Sequence, residues 1–339
     1  MMKQEREITL ELVRVTEAAA LRASRWMGKG EQKQADAAAV DAMRGMLDYI
    51  NINGTVVIGE GEKDKAPMLY IGEKVGRGGP DAVEIDIAVD PLEGTRLTAM
   101  GLPNALSVIV AGEKGSIAQI PTFYMEKIAC GERLKGFLDI EAPIKENIKV
   151  AAAKLNCDIG DIVVIVLDRP RNQELITEIR KIGARIRLLS DGDVAGAICT
   201  ALEGYDADIY AGIGGSPEGV LAAAALKCMG GDFQGRLWFK DEEEKMKVKE
   251  AGYSLNQVFT IDDLVKGDSI IFSATGVTGG YLLPGVRYYG GNKAETSSMV
   301  MRARTGTIRY IKTIHRLDKK TIPSRRYNKE ISVRETIEE

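Results

Sequence analysis

Asp90-Pro91-Leu92-Glu93-Gly94-Thr95 places two carboxylates, a proline, a glycine and a hydroxyl together at the end of an alternating run, residues 83–89. These are the parts of a metal-assisted phosphoryl site: oxygen ligands for a hard cation, and a glycine that lets backbone N–H groups approach an anion. The branched apolar residues of 83–89 fall on one face with period two, so a half-buried strand carries Asp90 at its carboxyl end. Pro91 fixes its own φ and pushes its predecessor toward extended geometry, which predicts that the strand stops here. A helix starting near Thr95 turns its first N–H groups toward any bound anion.

Composition narrows the chemistry. The chain has one histidine, His315, against 49 Asp and Glu residues. A Ser-His-Asp triad, an imidazole zinc site or a phosphohistidine relay each needs a well-placed histidine, and His315 lies far along the chain in a basic segment. Carboxylates must carry any metal, and all-oxygen ligation favours Mg²⁺ or Mn²⁺. Further carboxylates sit at other turns. The strand 55–58 runs into Gly59-Glu60-Gly61-Glu62-Lys63-Asp64, which reads either as a solvated acidic turn or as a cation site, because buried unpaired carboxylates lose hydration at a cost. Asp36 opens an alanine-rich helix that reaches about residue 49, and alone it reads as a helix-start residue. Glu218 is either a first-turn dipole partner or a fourth carboxylate at a strand-to-helix junction. Arg169 and Arg171 flank Pro170 and suit a phosphate clamp or a solvated surface. Asp191 and Asp193 flank Gly192 and suit sugar hydroxyls or an ordinary Asx turn.

The elements that must position these groups follow from pattern. At 339 residues and 45% hydrophobic content, the chain can bury the core of one elaborate domain or two packed ones. Its net charge of −3 gives no electrostatic case for nucleic acid. The amino terminus is too charged for a secretory signal and no apolar run spans a bilayer, so a cytoplasmic protein is expected. Cys130, Cys157, Cys199 and Cys228 form no CxxC pair and read as reduced, packed thiols. An amphipathic helix over about 5–26 leads through a polar connection, 28–33, to the Asp36 helix. Alternation over 105–110 and the Gly112-Glu113-Lys114-Gly115 turn predict a hairpin toward Tyr124. Around residue 150 the pattern changes to βα alternation, dividing the chain into 1–150, an α+β layer with the metal site, and 151–339, an α/β layer with the substrate loops and a tail from about 318. Strands over 162–167, 184–189 and 205–211 end in polar or glycine-rich turns. The glycine cluster 212–219 lacks a clean GxGxxG, and no GxxxxGK[ST] occurs, so Pro217 is read in the first turn of a helix. Residues 240–250 read as a solvated helix. The basic cluster from Arg302 to Arg326 suits an edge strand over 307–314 and a solvated tail better than a nucleic-acid surface.

Together these motifs resemble the class II, GlpX-type fructose-1,6-bisphosphatases of the lithium-sensitive metal-dependent phosphatase superfamily. The residues that carry the resemblance are VRVTEAAA (13–20), VVIGEGE (56–62), APMLYIGEKVG (66–76), AVDPLEGTRLTAMG (88–101), YMEK (124–127), DGDVA (191–195), GIGGSPEG (212–219) and IFSATGVT (271–278). GIGGSPEG replaces the tryptophan-aspartate motif usual in that superfamily. The resemblance implies an α/β (α+β) fold, a layered α-β-α-β-α sandwich. It implies Mn²⁺ or Mg²⁺ held by Asp36, Glu60, Asp90, Glu93 and Glu218, and a sugar bisphosphate bound by Glu93, Gly94, Thr95, Tyr124, Arg169, Pro170, Arg171, Asp191, Gly192, Asp193 and Gly215. The implied reaction, part of gluconeogenesis, converts fructose 1,6-bisphosphate to fructose 6-phosphate and phosphate, with Thr95 positioning water and Glu62 or Asp64 relaying a proton. Two positions depart from the family pattern: Gln32, beside Lys33, and Arg169 both stand where relatives carry lysine. Sedoheptulose 1,7-bisphosphate or an inositol phosphate as substrate, and a non-enzymatic sugar-phosphate sensor, are the alternatives. A homo-oligomer, dimer or tetramer, is expected from the relatives.

Overall fold

The structure is a computed structural model and describes residues 2–61, 68–250, 252–326 and 329–332. In chain order, α1 (Met2–Ala23) and α2 (Gln32–Leu47) precede β1 (Ile52–Ile58), β2 (Lys74–Val75), β3 (Val83–Glu93), α3 (Thr95–Met100) and β4 (Leu106–Glu113). The middle of the chain forms β5 (Tyr124–Cys130), α4 (Ile144–Leu155), β6 (Val163–Leu167), α5 (Gln173–Ile182), β7 (Arg185–Leu189) and α6 (Val194–Cys199). It continues through β8 (Ile209–Gly215), α7 (Ser216–Met229), β9 (Asp232–Trp238), α8 (Glu242–Glu250), β10 (Val258–Thr260) and α9 (Ile261–Leu264). Last come β11 (Ile271–Gly276), β12 (Arg287–Tyr289), β13 (Lys293–Arg302), β14 (Thr307–Arg316), β15 (Thr321–Ser324) and β16 (Lys329–Ser332).

Two compact units result, Met1–Ile117 with Ser269–Glu339, and Ala118–Asp268. The expected division near residue 150 is therefore replaced by a discontinuous one. Its cause is strand pairing: β5 pairs with β8 and β9 instead of forming a hairpin with β4, and β11 returns to lie between β4 and β13.

In the first unit the sheet order is β12-β13-β11-β4-β3-β1-β2, and β14 pairs with β13 as an edge strand, as its alternation predicts. The helices α1 and α2 pack on each other and on this sheet. Leu12, Leu21, Met43 and Leu47 close over Ile52, Ile87 and Ile109, all without solvent exposure. The period-two pattern of β3 puts Ile85, Ile87 and Val89 in that cluster. β3 does not stop at Pro91 but continues to Glu93, with a register shift against β4 between Asp90 and Glu93. A bulge tolerates a residue that cannot donate to the ladder, which is how proline sits inside a strand here.

The second unit is a mixed sheet, β10-β9-β5-β8-β6-β7, with β6 parallel to β7 and β8. Alternation covers both faces. Ile128, Val164, Val166 and Ile209 pack with Ile148, Ile176 and Ile179 of α4 and α5, whereas Ile165 and Tyr210 face Gly196 of α6. The α/β (α+β) fold class expected of the chain holds: helices combine with mixed sheets in both units. The four cysteines are free, and burial pushes the Cys130 and Cys199 thiols up to about 12, which keeps them protonated. Among the described residues no helix is long and apolar enough to cross a membrane.

The expected tail from about 318 contains two strands, β15 and β16, and residues 327, 328 and 333–339 lie outside the described residues. Strands β15 and β16 form a hairpin on α2. Ile322 and Ile331 are buried, Asp41 Oδ1 accepts the backbone N–H groups of Arg325 (2.9 Å) and Arg326 (3.0 Å), and Tyr49 donates to Glu330 (2.8 Å). The hairpin crosses α2 at Gly45, where an added Cβ would lie 2.0 Å from the Pro323 carbonyl oxygen. Ile322→Ala should lower unfolding free energy by roughly 2–4 kcal/mol, read as a lower urea midpoint at an unchanged m value.

His315 is buried within this unit and not part of a basic surface. Lysine only donates, so His315 Nδ1 accepts from Lys320 Nζ (3.0 Å) and Nε2–H donates to Thr296 Oγ1 (2.8 Å), which in turn donates to Glu17 (3.3 Å). Burial, then the Lys320 charge, lowers the His315 pKa from 6.5 to about 3. The unfolded chain therefore binds one more proton than the folded chain between these values, and the folded state loses stability as pH falls through that window. His315→Asn should show a shallower decline of Tm between pH 7 and pH 4 than the unmodified protein; parallel declines would count against the buried neutral imidazole.

Candidate active site

In the first unit the loop after β1 brings a carboxylate back toward α2. The Glu60 N–H donates to the Leu69 carbonyl (3.0 Å), and Gly59 lies so close that a Cβ would sit 2.0 Å from the same oxygen. Gly61 adopts a φ of +119°, and its carbonyl accepts from the Ile71 N–H (2.9 Å). Asp36 is not a cap: α2 begins at Gln32, so Asp36 falls in its second turn. Its side chain reaches the Thr95 hydroxyl. Thr95 Oγ1 also lies 3.1 Å from the Leu92 carbonyl, and one hydroxyl proton can serve only one acceptor at a time. Burial raises the Asp36 pKa, with the Thr95 hydrogen bond opposing it. Burial, and then the Asp36 charge, raises Glu60 to about 7.

The Asp90–Thr95 turn supplies the remaining groups of this unit. Asp90 Oδ1 accepts the Leu92 N–H (3.1 Å), which closes the turn locally. Glu93 is 2% exposed and Gly94 takes a φ of +82°, where a side chain would be strained. α3 begins at Thr95 as the sequence suggested, and its first N–H groups have no partner within the helix. Gly28 and Gly30 donate to the Thr98 and Ala99 carbonyls (2.9 and 2.8 Å), so the connection ahead of α2 is tied to α3. Gln32 and Lys33 follow it, both exposed. Glu62 and Asp64 lie outside the described residues.

In the second unit Pro170 opens a single 3-10 turn after β6. Arg171 Nε donates to the Ile213 carbonyl (2.9 Å) and its guanidinium stands 4.4 Å from the centroid of the Tyr124 ring. Tyr124 is itself held edge-on by Trp238 at 5.6 Å. Arg171 is thus held in place with its outer N–H groups unused among the described residues. Arg169 differs, because its Nη2 donates to Asp191 at 2.7 Å. Gly192 adopts a φ of +72°, and the chain then turns Asp193 inward. The Asp193 carboxylate meets Lys127 Nζ at 2.6 Å and accepts from Tyr210 OH at 3.1 Å, both partners buried. In that loop the Asp191 carboxylate is the more exposed of the two.

Glu218 stands in the first turn of α7, behind Pro217. Its carboxylate folds back on Gly215, where a Cβ would lie 1.8 Å from Oε2. Burial, then the Asp193 charge, raises its pKa, and Lys127 works against both. Two residues with no assigned role at the sequence level emerge here. Lys127 was visible only as the last residue of YMEK. Asn172 exchanges hydrogen bonds with Ile213 (2.8 and 3.2 Å) and also donates to Leu167 (3.0 Å), joining the ends of β6 and β8. A buried asparagine in a polar loop has no sequence signature.

A divalent cation fits the residues present. In the first unit the Asp36 charge acts against the ionised form of Glu60 in a partly buried site, and in the second Glu218 Oε2 is buried with no hydrogen-bond partner among the described residues. A cation beside either group would relieve it. Among the described residues no three carboxylate, histidine or cysteine side chains stand close enough together to hold an ion as they lie.

Carboxylates at the end of a strand beside helix N–H groups, as in the Asp90–Thr95 turn, suit metal-assisted phosphoryl chemistry. The chain matches the family model for bacterial fructose-1,6-bisphosphatase, glpX-encoded, over residues 6–315. It is 45% identical over 328 residues to fructose-1,6-bisphosphatase 1 class 2 of Escherichia coli K12, spanning 93% of this chain and 97% of that protein. The same figures hold for fructose-1,6-bisphosphatase class 2 of Shigella flexneri. The chain belongs to the glpX-encoded bacterial fructose-1,6-bisphosphatase family. The β15–β16 hairpin lies beyond the matched residues.

Glu60→Gln removes one of two repelling carboxylates. The metal-free protein should be as stable as the unmodified one or more so, while the gain in Tm on adding Mn²⁺ falls sharply. A full Mn²⁺-induced gain would exclude Glu60 as a ligand.

Proposed function

We propose that this protein hydrolyses fructose 1,6-bisphosphate at the 1-phosphate, giving fructose 6-phosphate and inorganic phosphate, with Mn²⁺ or Mg²⁺ as cofactor. The observation that carries this reading is the cluster of Asp36, Glu60 and Thr95 next to the Asp90–Glu93 turn, in a chain of this family. Asp36, Glu60, Asp90, Glu93 and Glu218 are the residues that would hold the cation. When bound, it lowers the pKa of water and neutralises charge on the phosphoryl oxygens.

The chain's own groups do the rest. Backbone N–H groups of Gly94, Thr95 and the start of α3 bind the equatorial phosphoryl oxygens, acting with most effect on the charge that develops in the transition state. The Thr95 hydroxyl orients the attacking water, its proton shared between Leu92 and Asp36 as acceptors. Glu62 or Asp64 receives the proton, since no histidine serves the site. Arg171, fixed by Ile213 and stacked on Tyr124, binds the remote 6-phosphate, with Arg169 beside it. Asp191, Gly192 and Gly215 complete the sugar contacts. The pair Arg169–Asp191 must open for Arg169 to bind phosphate, so Arg171 carries more of that binding. The protein is expected in the cytoplasm as a homo-oligomer.

Phosphate release from fructose 1,6-bisphosphate should require Mn²⁺ or Mg²⁺, stop on chelation and be blocked by millimolar lithium. Thr95→Val should lower kcat by on the order of 10²-fold or more with little change in KM. Release from sedoheptulose 1,7-bisphosphate or inositol phosphates but not from fructose 1,6-bisphosphate would replace the substrate. Absence of release from every phosphate ester would overturn the enzymatic reading.

A further inference from the structure

The second unit holds a cavity of about 420 Å³, within the size range of small-molecule sites. It lies where β5 ends and β8 begins: Gly131 and Glu132 follow β5, and Ala207 and Asp208 lead into β8. Tyr124 and Gly215 stand at the opposite ends of the same two strands. Met229, at the last position of α7, also lines the cavity, and the 14 residues of that helix put about 21 Å between its end and its start beside Glu218. The cavity is therefore separate from the substrate groups proposed for this unit.

Its walls carry an excess of negative charge. Glu132, Glu203 and Asp208 line it against a single cationic side chain, Arg133. Arg133 is 78% exposed, and its Nη2 stands 3.9 Å from Asp208 Oδ1, at the long limit of an ion pair. Glu132 and Glu203 have no ion-pair partner among the described residues. Three helices also end on the cavity: Leu155 closes α4, Met229 closes α7 and Thr200 caps the end of α6. The last carbonyls of a helix lack intrahelical partners and carry partial negative charge. Glu132 stands against that charge, because a Cβ at Gly230, the residue after α7, would lie 3.8 Å from Glu132 Cδ. A cleft lined by one sign of charge concentrates ligands of the other sign.

The spacing of the carboxylates selects the kind of cation. Among the described residues no three of them stand close enough together to hold a metal ion, so each is met by a separate positive group. Leu134, Leu155 and Met229 supply apolar wall in the same cavity. We propose that this cavity binds an aliphatic diamine or polyamine, with ammonium groups at Glu132, Glu203 and Asp208 and the methylene chain between them against the apolar wall. The inference is independent of the phosphatase reading, since no group of that site takes part.

Spermidine is the probe, and its binding is measured by calorimetry in millimolar Mg²⁺, which competes for carboxylates elsewhere on the chain. Three proteins are compared: the unmodified chain, Glu132→Gln/Glu203→Gln, and Glu242→Gln/Glu243→Gln on α8. All four substituted residues are exposed, so both variants should fold, and Tm is recorded for each. The two variants lose the same charge, and only the first loses it in the cavity. One saturable site is expected on the unmodified chain. The cavity variant should bind spermidine about 5-fold more weakly or worse, as the loss of two exposed ion pairs implies, while the α8 variant stays within about twofold of the unmodified chain. Absence of saturable binding to the unmodified chain would overturn the proposal. So would an equal loss in the two variants, which would mean attraction to the overall charge, or an unchanged affinity in the cavity variant, which would mean that spermidine binds elsewhere.

Discussion

Carboxylates crowded where water is scarce are the constraint around which both units are organised. An ionised carboxylate loses favourable hydration on burial, and a second one nearby adds repulsion. Asp36 and Glu60 are in that situation, and Glu60 is held near the point of protonation by it. A fold selected for stability alone would put apolar or neutral groups there. The proposed cation and phosphoryl group would give these side chains, beside the Asp90–Thr95 turn, the counter-charge they lack.

The two units meet that constraint differently. In the first, the chain supplies the scaffold and leaves the counter-charge out: α1, α2 and the sheet form a dry apolar core, while the acidic groups gather at strand ends and helix starts. In the second, Lys127 is built in as an internal counter-ion, and Arg171 is held by a carbonyl and an aromatic face rather than by a carboxylate. An arginine satisfied by neutral partners keeps its full charge for an anionic ligand. Arg169, already paired with Asp191, has given part of it away.

Rigidity around the acidic groups comes from backbone contacts more than from side-chain ion pairs. Gly59 lies against the Leu69 carbonyl, Gly28 and Gly30 are tied to α3, and Gly45 lies under the hairpin at Pro323. At Gly59 and Gly45 the approach is closer than a Cβ allows, so glycine there reflects packing, whereas Gly28 and Gly30 have open space and adopt φ of +73° and +79°, so glycine there reflects backbone conformation. The hairpin, beyond the residues shared with the family model, braces the helix that carries Asp36.

The sequence alone determined the local chemistry. Strand alternation, the start of α3 at Thr95, Pro217 in the first turn of α7 and the carboxylates at strand ends are all written in neighbouring residues, because period, turn propensity and charge act over a few positions. Tertiary structure decided everything that depends on distant pairing. It set the discontinuous first unit, because β11, β13 and β14 rejoin a sheet begun by β1. It carried β3 through Pro91, because a bulge against β4 excuses the missing donor. It moved Asp36 from a helix cap to a second-turn position facing Thr95, turned Asp193 inward onto Lys127, and buried His315 in a chain of hydrogen bonds from Lys320 to Glu17. Burial and partner identity are properties of segments far apart in the chain, and no local pattern in a single sequence encodes them.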